Sequence, residues 1–266
     1  MATAAAGARA RIELGTQSTR PAVLSRIDRE RQFYAIAAFV MLAITLVGFR
    51  AFLLRGHSVD DAPMTQQIVP LIVTHGLAML TWVVLLCVQS VLIVSNRKRL
   101  HIALGTAGIF VAGAIVVFGL VVAPLSAHFN PPAYDDFGGA RYFLALMWPE
   151  PVTFGLFVTI AYLYRFRPEM HRPMTLIATI GIMTGSLARL PYEKALQAMV
   201  HGSIAIAMFG QMILLGAIFV ALNAAMTRRL DRYLLAGLGG QAVIVSLSSI
   251  VARTHEWDQI ASLIVN

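Results

Sequence analysis

The chain has 266 residues, of which 58% are hydrophobic and 13% charged, with a mean hydropathy of +0.73; a soluble domain is about 45–50% apolar and about 25% charged. That difference excludes a soluble globular enzyme and a disordered chain, and the single cysteine, Cys87, excludes an intramolecular disulfide and with it a secreted disulfide scaffold. The formal net charge of +8 has to be placed along the chain before it is read as affinity for nucleic acid.

In chain order, residues 1–24 are rich in Ala, Gly, Thr and Arg without an apolar period, which predicts a disordered basic N-terminal segment. Ser25-Arg26-Ile27-Asp28 has the form of a capping box with Asp in place of the usual Glu, so a helix is expected to start there. A membrane-crossing helix needs roughly 20 mostly apolar residues. Seven stretches qualify: 34–54, 69–94, 102–125, 142–164, 173–190, 200–225 and 233–252. None alternates over about ten residues as a barrel strand would, and lipid offers no hydrogen bonds to an open backbone. The fold class is therefore all-α: a polytopic membrane helix bundle of about seven transmembrane helices over 25–252, followed by an outer C-terminal tail, 253–266.

Spans two and three, four and five, and six and seven are expected to form hairpins with short basic turns: Asn96–His101, Arg167–Arg172 and Arg228–Arg232. The likeness of these turns, and of His75-Gly76 to His201-Gly202, hints at an internal repeat; the alternative is that any short cytoplasmic turn needs basic residues. Longer loops at 56–64 and 126–140 belong to the opposite side. Gly237, Gly239 and Gly240 in the last span predict close helix packing.

Orientation follows from the Lys and Arg positions. With the N-terminus in the cytoplasm, 15 of the 21 basic residues lie inside and the cytoplasmic net charge is +10, leaving −2 elsewhere. The reading is N-in and C-out. The positive charge then reports topology, its natural partners are the lipid bilayer and anionic head groups, and no nucleic acid is needed to explain it.

Ionisable groups inside lipid are costly and mark candidate sites. His75 and Gln89 are 14 residues apart in span two, close to four turns, and share a face. His75 and His201 lie toward the outer ends of their spans, His101 and His171 at cytoplasmic ends. Two histidine pairs at matched depth are what two b-type haems would need as axial ligands. Arg50 and Arg189 would hold the propionates of the outer haem, and Arg99 or Arg172 those of the inner one. The bland alternative is that these histidines are interfacial residues beside arginines. A second reading keeps His75, His201 and Glu150 as an outward-facing transition-metal site, for hydrolysis or metal handling. A third has no cofactor and acts in binding, transport or complex assembly. Glu150, within Trp148-Pro149-Glu150-Pro151, sits where two prolines break the backbone ladder, either paired with Arg50 or serving as a proton-relay carboxyl. The other histidines, His57, His128 and His255, fall in outer loops or the tail. Trp82 reads as packing and Cys87 as a buried small apolar residue.

The stretch His75…Trp82…Gln89…Arg99-Leu100-His101…Leu104-Gly105 and the later His171-Arg172-Pro173-Met174…Arg189 resemble an uncharacterised bacterial polytopic membrane family, a domain of unknown function, over spans two to five. The family usually has Arg where this chain has Ile102. The resemblance implies a multi-pass protein of the bacterial inner membrane and carries no activity with it. The four-histidine arrangement is also similar to cytochrome b561-type two-haem bundles, which implies electron transfer with a quinone or a redox protein as partner.

Overall fold

The computed structural model describes residues 25–55, 67–130, 134–135, 138–192, 195–196, 199 and 204–265. These residues are all-helical. The helices are α1 (Arg26–Gly48), α2 (Arg50–Arg55), α3 (Val69–Val94), α4 (Lys98–Phe129), α5 (Ala140–Met147), α6 (Pro149–Leu163), α7 (Pro168–Gly181), α8 (Thr184–Leu187), α9 (Ile204–Thr227), α10 (Arg232–Val251) and α11 (His255–Ser262). Among the described residues six helices are long and apolar enough to cross a membrane: α1, α3, α4, α5 with α6 as Ala140–Leu163, α9 and α10. The expected fifth span, 173–190, is divided. A 14-residue helix ends at Gly181, and a single turn resumes at Thr184.

Local chemistry sets most of the termini. The Asp28 N–H donates to Ser25 Oγ at 3.2 Å, so α1 begins at the expected cap. Asp231 accepts from the backbone N–H groups of Tyr233 and Leu234 and starts α10; Thr254 caps α11 through Trp257 N. Gly138 and Gly139, at φ +86° and +95°, turn the chain into α5 through a backbone conformation that a side chain would strain.

The expected hairpins are present as α3–α4, α6–α7 and α9–α10, and α1 packs between α3, α8 and α9. Phe33, Met41, Ile115, Phe154, Ile177, Ile180, Met212 and Phe219 form a dry centre. The perimeter is the reverse of a soluble surface: Phe110, Val117, Leu214, Val243 and Ile250 are more than half exposed, a belt suited to hydrocarbon. Of the three glycines expected to pack closely, Gly237 does so, since a Cβ there would stand 2.8 Å from Ile177 Cγ1. Gly240 has only ordinary contact with Phe157, and Gly239 faces open space, so close packing there is corrected.

Three contacts collect the basic turns on one face. Arg31 donates to Asn96 Oδ1 at 3.3 Å, Arg172 pairs with Glu30 at 3.4 Å, and Tyr34 donates to Asp231 at 3.4 Å. At the far end of α1, Gly48 abuts the Ser186 backbone carbonyl. The tail is a helix folded back onto α5. Arg141 pairs with Asp258 at 2.9 Å, Trp257 donates to the Arg141 carbonyl, and Val265 is buried.

Candidate functional site

His101 lies in the first turn of α4, where its carbonyl accepts from Gln89 Nε2 of α3 at 3.0 Å. Gln89 therefore faces α4, as does His75, whose Cε1 is 3.5 Å from where a Cβ of Gly119 would stand. The shared face of His75 and Gln89 is present. His171 lies in the first turn of α7, after Pro168. Its Nδ1 is 2.9 Å from the Ala161 carbonyl of α6. A carbonyl only accepts, so Nδ1 carries the proton and the neutral ring keeps a lone pair on Nε2. The two imidazoles, 70 positions apart in sequence, have ring centroids 6.3 Å apart and planes at 86°. His101 Nδ1 is buried with no hydrogen-bond partner among the described residues. Such orphaned polar atoms are uncommon and need an account.

The outer group is assembled differently. His75 Nδ1 is also buried without a partner among the described residues. His201 lies outside the described residues, as does His57. Glu150 is not paired with Arg50. Its Oε1 accepts from Thr184 Oγ1 of α8 at 2.6 Å, because the divided α7–α8 brings that hydroxyl to the start of α6. Arg50, at the start of α2, donates to the Val47 carbonyl in the last turn of α1, 2.8 Å away. The Arg189 guanidinium lies 4.8 Å over the Phe49 ring and donates to Gly185 O. Both arginines thus cluster at the end of α1. Among the described residues no group of three His, Cys, Asp or Glu side chains is disposed to hold a metal ion.

The remaining histidines have structural partners. His128 Nδ1 donates to the Ile264 carbonyl at 2.8 Å and ties the tail to α4, and His255 contacts Gln259 on α11. Sequence reasoning missed Thr184, Gln241 and the bond from Trp82 Nε1 to Thr179 Oγ1, 3.0 Å long and buried. Gln241 was findable, being a single amide in an otherwise apolar Gly-rich span. Thr184 was not, because threonine is unremarkable in membrane helices. No family model matches the chain, and no curated protein or solved structure is significantly similar to it.

Proposed function

We propose that the chain is a seven-crossing protein of the bacterial inner membrane, N-in and C-out, with a b-type haem held between His101 and His171 near the cytoplasmic face for electron transfer. The seventh crossing is α7 with α8. Arg172 meets Glu30 near the start of α1, and Ser186 meets Gly48 at its end, so this divided segment runs alongside α1 over the same thickness. The basic turns gathered at the Glu30 end favour that side as cytoplasmic.

The observation that carries the haem reading is the spacing of the two rings. A direct N–H···N bond between two imidazoles would bring their centroids to roughly 5 Å. Metal–imidazole bonds of about 2.0–2.1 Å put two opposed imidazoles on one ion roughly 6 Å apart, centroid to centroid. The observed 6.3 Å is too long for the first case and within the range of an edge-on ring contact, and it supports the second together with the buried, unpartnered Nδ1 of His101. His171 is oriented as a ligand should be, by a carbonyl on its other nitrogen. Two protein ligands suit a haem, which brings four nitrogens of its own, better than zinc, which takes three or four protein ligands. His101 and His171 would hold the haem, which would supply a one-electron couple.

Protein purified from haem-replete cells is expected to show a Soret band that sharpens and shifts on dithionite reduction. His101→Ala and His171→Ala should each abolish this signature at the inner site, while His128→Ala leaves it intact. Wild-type protein that stays colourless after loading with hemin rejects the reading.

A further inference from the structure

Two helices are interrupted at the same place, and their interrupted ends meet. α5 passes into α6 at Trp148, where Pro149 and Pro151 each lack a backbone N–H. α7 stops at Gly181 and α8 starts at Thr184. The Thr184–Glu150 hydrogen bond crosses between them. At 1.5 Å per residue, Glu150 lies about 15 Å from Ala140, near the middle of the 24-residue crossing Ala140–Leu163. None of the ion pairs among the described residues involves it. An intramembrane carboxyl without a counter-ion is costly to keep unless it has a use.

Beside Glu150 is a cavity of about 10 Å³, room for roughly one water. Thr153, Gly181, Gln241 and Ser248 are among its walls. The Thr153 and Ser248 hydroxyls donate to the Pro149 and Ile244 carbonyls of their own helices, so they offer the cavity acceptors only. A water there would find acceptors for its own protons and a carboxyl to exchange with. On the lipid side, an open apolar groove of about 590 Å³, lined by Leu120, Trp148, Leu247 and Trp257, shares Pro149, Thr153 and Ser248 with this cavity.

We propose that Glu150 is a proton-exchange site of the membrane interior, passing its proton to and from a single water held among Thr153, Gln241 and Ser248. In the forward step the O–H bond of the acid breaks and the proton joins the water, leaving carboxylate and hydronium. The return step reverses this, and no electron moves. Thr184 holds one carboxyl oxygen in place throughout. The proposal uses neither His101 nor His171 and stands independently of the haem reading.

The test uses the full chain in liposomes and dicyclohexylcarbodiimide, an apolar reagent that attacks protonated carboxyls and can enter through the groove. Mass spectrometry reads the adduct on the peptide carrying Glu150. The adduct is expected to fall at least tenfold from the acidic to the alkaline end of a pH series, because the reagent attacks only the protonated carboxyl; Glu150→Gln should lack it. Glu256 and Asp258, on the exposed tail, serve as controls for reagent access from water. Labelling that is absent at every pH overturns the proposal, as does labelling that does not change with pH. Protection by sodium ions at constant pH also overturns it, because the occupant would then be a metal cation.

Discussion

Trp82 shows what one side chain contributes in this bundle. Its ring lies edge-on to Phe154 with centroids 5.1 Å apart, and its N–H donates to Thr179, which in turn donates to the Thr175 carbonyl. Trp82→Phe keeps most of the aromatic packing and leaves the Thr179 oxygen short of a donor. Interhelical hydrogen bonds in membranes are worth about 0.6–1.7 kcal/mol. A double-mutant cycle with Thr179→Val, read by thermal unfolding in detergent, is therefore expected to give a coupling of about 1 kcal/mol. At this scale the sequence was informative where a residue type is rare. His101 and His171 stood out by depth and chemistry, and the structure brings them together. Hydroxyl residues gave no such signal. Thr153, Thr175, Ser248 and Ser249 all donate to the carbonyl four residues back, and nothing in the sequence separates them from Thr184, which reaches across to Glu150.

Among the elements, termini were more legible than interruptions. Ser25 marked the start of α1 because its side chain satisfies an N–H the helix cannot. The interruption after Gly181 was hidden, since Ile182 and Met183 are as apolar as their neighbours and are buried. Composition measures suitability for lipid and says little about whether the backbone ladder is continuous. Two glycine substitutions separate close approach from mere flexibility. In Gly48→Ala the new methyl meets a backbone carbonyl that cannot swing away, and a loss of about 1–3 kcal/mol is expected. Gly239→Ala enters open space and should gain roughly 0.5–1 kcal/mol from helix preference. The α9–α10 turn holds Arg228 at φ +59°, a left-handed conformation costing about 1–2 kcal/mol for a residue with a Cβ. Arg228→Gly is thus expected to raise the melting temperature. The same turn position before α4 is filled by Asn96 at φ +57°, a residue that tolerates it and gives no such gain.

For the molecule as a whole, the proposed orientation makes a direct prediction. Cys87 is 4% exposed, so a membrane-impermeant maleimide has almost no native target. Intact cells should label Gln259→Cys on the tail helix and spare Ser95→Cys in the α3–α4 turn until they are opened. The opposite pattern would invert the topology. The all-helical fold and the paired hairpins were legible because hydrophobic length and turn charge are properties of the chain itself. The packing of α11 against α5 was not, because it depends on Arg141, Asp258 and Trp257 meeting across more than a hundred residues.

Helices α6 and α7 run antiparallel and are fastened at both ends. Thr184, just past α7, donates to Glu150 at the start of α6, and His171 at the start of α7 donates to Ala161 near the end of α6. They make a ladder of two rails with a polar rung at each end. Such a frame resists splaying but permits shear, in which one rail slides along the other and both rungs tilt together. Splaying at either end has to break the polar contact there while the other still holds the pair together.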